Sequence, residues 1–184
     1  ELMEAINLGT RGLQEAFDIV EYANIPGGTK LSDERKANGA EEPFDIRLWC
    51  LGNEMDGPWQ LGHKSAEDYG VLAADVARGL RQIDPDLQLA VCGSAAHDMP
   101  TFGQWEETVL EHTYDLVNFL SCHAYYEPAH YDGDLQSFMA SGVDMDRFIK
   151  EVGAIIDTVK AKKRSNHDVY ISFDEWNVWY QSAE

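Results

Sequence analysis

The chain lacks what most partner classes demand. Nowhere do about 18 apolar residues run together, so no membrane-spanning helix is expected. No basic start precedes an apolar core, so no signal peptide is visible, and a cytoplasmic location is the expectation. Cations are scarce: 14 lysines and arginines stand against 33 aspartates and glutamates, for a formal net charge of −19. Such a charge repels phosphate backbones and anionic surfaces, so neither nucleic acid nor membrane is an expected partner, and its plainest meaning is a solvated surface. Cysteine is equally sparse. Cys50, Cys92 and Cys122 sit within or at the end of apolar runs, odd in number and irregular in spacing, which speaks for buried thiols and against a disulfide frame or a zinc site. No phosphate loop, dinucleotide fingerprint, sequence repeat or low-complexity tract appears, and neither cofactor nor metal is expected.

What is present is an alternation of two periodicities. Residues 2–8, 46–51, 87–92, 116–121 and 169–173 read as five strands. Between them run helical stripes: Leu13, Ala16, Phe17 and Val20; then Tyr69, Leu72, Ala73, Val76 and Leu80, opened by Ser65 with Asp68 and stopped by Asp84-Pro85. A third carries Trp105, Thr108, Val109 and His112. The fourth carries Phe148, Val152, Ile155, Ile156 and Val159, with Asp144 as its expected N-cap and Lys160, Lys162, Lys163 and Arg164 at the negative end of its dipole. Residues 24–45, with Pro26-Gly27-Gly28 and Asn38-Gly39, read as a long loop. Five strands with four intervening helices predict an α/β chain with a parallel sheet. Polar residues follow several different strands rather than one glycine-rich turn, which favours part of a (β/α)8 barrel over a doubly wound sheet.

Two of those strand ends leave a glutamate, in Gly52-Asn53-Glu54 and in Phe173-Asp174-Glu175-Trp176-Asn177. Strands three units of roughly 30 to 40 residues apart can aim at a shared centre. Two carboxylates at one mouth are the minimum equipment for cleaving a glycosidic bond. Glu54 follows a nearly apolar run, so burial is expected to raise its pKa and keep it an acid. Glu175 would have to stay ionised, with the phenols of Tyr125 or Tyr126 as candidate donors. Asn53 can donate to a sugar hydroxyl, His123 can join a polar wall, and Trp176 and Trp179 can form a stacking platform.

These residues resemble a known family, the α-L-arabinofuranosidases of glycoside hydrolase family 51. The segment Leu48-Trp49-Cys50-Leu51-Gly52-Asn53-Glu54-Met55-Asp56-Gly57-Pro58-Trp59-Gln60-Leu61-Gly62-His63-Lys64 is similar to its acid/base segment, and Phe173-Asp174-Glu175-Trp176-Asn177-Val178-Trp179-Tyr180 to its nucleophile segment. Asn7-Leu8-Gly9-Thr10-Arg11-Gly12, Asp98-Met99-Pro100-Thr101-Phe102-Gly103 and His123-Ala124-Tyr125-Tyr126 extend the likeness. The resemblance implies a (β/α)8 barrel with Glu54 as general acid/base and Glu175 as nucleophile. It makes Asn53 a ligand of the sugar hydroxyl nearest the reacting carbon, Tyr125 a support for the nucleophile, and His123 and Trp179 pocket walls. Implied partners are arabinose-containing oligosaccharides and polysaccharides such as arabinan and arabinoxylan, with homo-oligomeric assembly of the full-length protein. Residues 1–184 then hold strands three to seven of one catalytic domain, without its first two strands, its eighth strand or the C-terminal β-sandwich. Such an internal piece exposes open sheet edges, and on its own is expected to be inactive and prone to aggregate. Two rival readings are a metal-dependent barrel enzyme using Glu54, His123 and Glu175 as ligands, and a non-catalytic carbohydrate-binding remnant.

Overall fold

A computed structural model describes residues 2–179. Its five strands are β1 (Met3–Ala5), β2 (Leu48–Leu51), β3 (Gln88–Cys92), β4 (Phe119–Tyr126) and β5 (Tyr170–Val178). They form one sheet in the order β1-β2-β3-β4-β5, every neighbouring pair parallel. A doubly wound sheet reverses direction at a switch point, whereas this one adds each strand beside the last, as part of a (β/α)8 barrel does. Among the described residues β1 and β5 each pair with a single strand and form the two edges.

The expected apolar stripes pack this sheet. Helix α1 (Leu13–Asn24) buries Ala16, Val20 and Ala23. In the same way α3 (Ala66–Ile83) buries Tyr69, Ala73, Val76 and Leu80, and α4 (Gln104–Thr113) buries Trp105, Val109 and Leu110. The last helix, α6 (Ser141–Lys163), buries Phe148, Val152, Ile156 and Val159. Covered strands need no polar alternation, so β2 and β3 read as continuous apolar runs. Two aromatic side chains fix the strand ends beneath the site. Tyr69 stacks on Trp105 at 5.5 Å, donates its hydroxyl to Leu51 O and accepts from Cys92 N, while Trp105 Nε1 donates to Cys92 O. The three cysteines are free and buried.

The structure corrects the expected elements in three places. Residues 24–45 are not all loop, because α2 (Lys30–Ala37) lies within them, capped by the Thr29 side chain. No apolar stripe announces α2: its anchor is Arg35, fully buried, whose guanidinium donates to the carbonyls of Tyr22, Ile25, Pro26, Ala40 and Glu41. A short α5 (Leu135–Met139) and a 3-10 turn (Pro128–Tyr131) precede α6, which starts at Ser141, so Asp144 lies in its first turn and not at its N-cap. Its carboxylate instead meets His97 Nδ1 at 2.7 Å and accepts from the Tyr126 hydroxyl at 3.2 Å. Finally, β4 and β5 run several residues past their expected ends, so His123 and Glu175 sit within strands. Tyr180 lies outside the described residues.

Candidate active site

The two glutamates reach the site by different routes. After β2 the chain turns sharply: Gly52 takes φ 114°, where a Cβ would stand 2.6 Å from Met55 Cγ, and Glu54 takes φ 45°. A left-handed non-glycine residue costs on the order of 1 kcal/mol or more, and such strain gathers at functional sites. The turn folds Trp59 and Gln60 back onto Glu54, whose Oε2 accepts from Trp59 Nε1 at 2.6 Å and from Gln60 Nε2 at 3.2 Å.

Glu175 arrives through a break in the pairing of β4 with β5. Cys122 pairs with Phe173 but His123 pairs with Glu175, leaving Asp174 as the extra residue of a bulge. In a regular strand successive side chains point to opposite faces; a bulge sets two residues against one and re-aims them. Here Asp174 and Glu175 both reach His123. Asp174 Oδ1 lies 3.0 Å from its Nε2, and Glu175 Oε2 lies 3.7 Å from its Nδ1. The same Nδ1 is 3.1 Å from Glu54 Oε1. Asp174 is held in turn by the hydroxyls of Ser121, at 2.8 Å, and Ser172, at 2.7 Å. Tyr125 donates to Glu175 Oε2 at 3.1 Å, and Trp179 packs edge-on against Tyr125 at 5.6 Å.

The imidazole between three carboxylates governs the electrostatics. Burial alone would lower the His123 pKa, but hydrogen bonds to Asp174 and Glu54 and the charge of Glu175 push it up to about 10. For Glu54 the expectation was a raised value, and it is corrected. Burial does push its carboxyl up, yet the His123, Trp59 and Gln60 hydrogen bonds outweigh that and leave it below the ordinary carboxylate value. Asp174 follows the same pattern, burial opposed by His123, Ser172 and Ser121, with a lowered result. Tyr125 is shifted up by burial and by its bond to Glu175.

Glu54, His123, Glu175, Tyr125 and Trp179 are thus brought together. His123 is 5% exposed with both ring nitrogens engaged by carboxylates, which leaves it no free polar atom for a sugar hydroxyl. Asn53 lines a cleft of about 350 Å³ with Asn7, Thr10 and Gln60. Trp176 and Trp179 are both well exposed, Trp176 tilted against Phe173. Tyr126 serves Asp144 rather than Glu175. Residue-level reading passed over Asp174, Ser121 and Ser172 as functional; Ser121 and Ser172 face each other only through the register of β4 with β5. It also assigned nothing to Asp56, a buried carboxylate that accepts from Ala95 N and whose pKa burial pushes up to about 6. Glu54, His123 and Glu175 could hold a metal ion, since each offers a ligand atom within 4.8 Å of the others. An ion would have to displace the His123 Nδ1 proton, which the surrounding carboxylates retain to about pH 10.

Comparison with known proteins finds one family throughout. The family described as "Alpha-L-arabinofuranosidase 1 domain" matches residues 5–164. An exo-alpha-(1->6)-L-arabinofuranosidase of Bifidobacterium longum is 70% identical over 100% of this chain and 36% of its own length. An intracellular exo-alpha-(1->5)-L-arabinofuranosidase of Streptomyces lividans is 59% identical over 99% of the chain and 27% of its own length. Among solved structures, a family 51 alpha-L-arabinofuranosidase of Bifidobacterium longum superposes with a TM-score of 0.92 at 47% identity, over 98% of this chain and 36% of that one. The Thermotoga maritima alpha-L-arabinofuranosidase in its arabinose complex gives 0.82 at 33% identity, over 98% and 35%. The chain spans about a third of the length of the curated relatives it matches.

Proposed function

Because the chain belongs to the α-L-arabinofuranosidase family, we propose that the protein carrying it is a retaining glycoside hydrolase that releases terminal arabinofuranosyl residues from arabinan- or arabinoxylan-type glycans. The observation that carries this reading is the meeting of Glu54 and Glu175 across His123, with an oxygen of each within 4.8 Å of the other. Retaining enzymes hold their carboxyl groups about 5 to 5.5 Å apart, whereas inverting ones leave about 6.5 to 9.5 Å for a water.

In this reading Glu175 attacks the anomeric carbon as the glycosidic bond breaks, and Glu54 gives a proton to the departing oxygen. Water then attacks the same carbon, Glu54 takes its proton, and Glu175 leaves as carboxylate. Tyr125 orients Glu175 through its 3.1 Å hydrogen bond. Asn53, in the neighbouring cleft, and the exposed face of Trp179 are suited to hydroxyl and C–H contacts with the sugar. Residues 1–184 act as strands three to seven of a catalytic barrel whose other strands and β-sandwich belong to the rest of the polypeptide, a reading supported by the two sheet edges and the share of the relatives covered. A cytoplasmic location is supported by relatives described as intracellular, and no helix among the described residues is long and apolar enough to cross a membrane.

Stereochemistry tests the mechanism. When the complete polypeptide hydrolyses an aryl α-L-arabinofuranoside, proton NMR of the first product formed is expected to show the α anomer, which later mutarotates. First appearance of the β anomer would sink double displacement.

A further inference from the structure

The end of β4 that carries Tyr125 is paired on one flank only. β3 runs beside β4 no further than Ser121, and the last backbone contact on that flank is His123 N to Ser94 O at 3.5 Å. From Ala124 to Tyr126 the ladder continues with β5 alone among the described residues. We propose that His97 is a positioning residue for the nucleophile: it holds Asp144, Asp144 holds the Tyr126 hydroxyl, and these links fix the strand end from which Tyr125 orients Glu175. The inference rests on the retaining hydrolase reading.

His97 lies in the loop between β3 and α4, largely buried, stacked on Phe148 of α6 at 4.9 Å and meeting Phe102 edge-on at 5.0 Å. Its ring nitrogens face two carboxylates of the same helix: Nδ1 is 2.7 Å from Asp144 Oδ1, and Nε2 is 3.0 Å from Glu151 Oε2. Glu151 follows Asp144 by about two helical turns, so both acids stand on one face of α6. Glu151 is held in addition by Arg147 Nε at 2.6 Å. The ring is therefore fixed by packing on its faces and by α6 at both nitrogens. Asp144 turns its other oxygen, Oδ2, to the Tyr126 hydroxyl at 3.2 Å.

Tyr125 and Tyr126 are neighbours on a strand, so their side chains leave opposite faces. Tyr125 donates to Glu175 Oε2 at 3.1 Å in the mouth, while Tyr126 reaches α6. A shift of the strand end moves both phenols together. Anchoring Tyr126 on the α6 side thus supplies the restraint that β3 does not extend to this height. A misplacement of about 1 Å can cost on the order of 100-fold in rate; loss of this one anchor, with β5 still paired, should cost about tenfold.

The test uses the complete enzyme on a nitrophenyl α-L-arabinofuranoside, with kcat and KM read separately. His97→Phe keeps a ring against Phe148 and Phe102 but binds neither carboxylate, and is expected to lower kcat about tenfold with KM little changed. Tyr126→Phe removes a single hydroxyl and should give a similar loss. Joining the two should add little, because both cut the same series of links. His97→Asn and His97→Gln separate the two branches. The asparagine amide, bonded to Cγ as Nδ1 is, can face Asp144, whereas the longer glutamine amide can face Glu151. The asparagine variant should regain most of kcat and the glutamine variant should not, although both lose the ring. A histidine that only pins loop to helix would lower the melting temperature in each variant and leave kcat alone. Unchanged kcat in Tyr126→Phe, losses that multiply in the double variant, or equal kcat in the asparagine and glutamine variants would overturn the proposal while leaving the hydrolase reading intact. Should His97→Phe not fold, the kcat of Tyr126→Phe decides alone. No hydrolysis by the unsubstituted enzyme would overturn both.

Discussion

His123 ties acid–base behaviour to stability. Its pKa of about 10 stands above the ordinary histidine value, because three carboxylates outweigh the opposing effect of burial. A group raised in this way contributes stability that is fully present below about pH 6.5 and is lost as pH rises through about 10. Glu54 and Asp174 have the opposite sign, their share being present above the ordinary carboxylate value and lost as pH falls through their lowered ones. The melting temperature of His123→Gln in the complete polypeptide should therefore fall well below that of the unsubstituted protein near pH 7, and the gap should shrink toward pH 10. A gap independent of pH would show that the imidazolium is not what the site stabilises. Both catalytic candidates were legible as glutamates at the ends of apolar runs. The protonation of Glu54 was misjudged, because burial was visible in its neighbours in sequence while the opposing imidazole lies 69 residues away. Nothing local to Asp174 announces a bulge, which exists only once β5 is laid beside β4.

Among the elements, α2 is the one that composition hides. Its eight residues, Lys-Leu-Ser-Asp-Glu-Arg-Lys-Ala, have no apolar face to bury, and their order depends on Arg35 saturating five backbone carbonyls from α1 and the flanking turns. Removing a buried hydrogen-bonding group strands its partners, so Arg35→Ala is expected to cost on the order of 3 kcal/mol. Limited proteolysis should then cut within residues 25–45 well before the rest of the chain; uncut loops with unchanged stability would show that α2 stands without its anchor. Helices α1, α3, α4 and α6 were legible because each carries an apolar stripe at helical spacing, and α3 also carries the Ser65 cap, whose hydroxyl accepts from Asp68 N at 3.1 Å. Strand ends were misread where polar residues satisfy one another across the sheet, as His123 does with Asp174, since alternation alone makes a buried polar cluster look like a loop.

Over the described residues, five consecutive parallel strands bring their carboxyl ends to one side, and residues from the turn after β2 and from β4 and β5 meet there. The order of elements was legible in the alternation of strand and helix, whereas the meeting of one turn and two strands at a single histidine needed the pairing registers. The central claim is that Glu175 bonds to the sugar while Glu54 handles the proton. Replacement of Glu175 by alanine in the complete polypeptide tests it most directly, assayed on an activated aryl α-L-arabinofuranoside with and without sodium azide. The account predicts that hydrolysis collapses without azide, and that azide restores consumption of the substrate as an arabinofuranosyl azide of inverted, β configuration. An unaffected rate of hydrolysis, or an azide product of retained configuration, would contradict it.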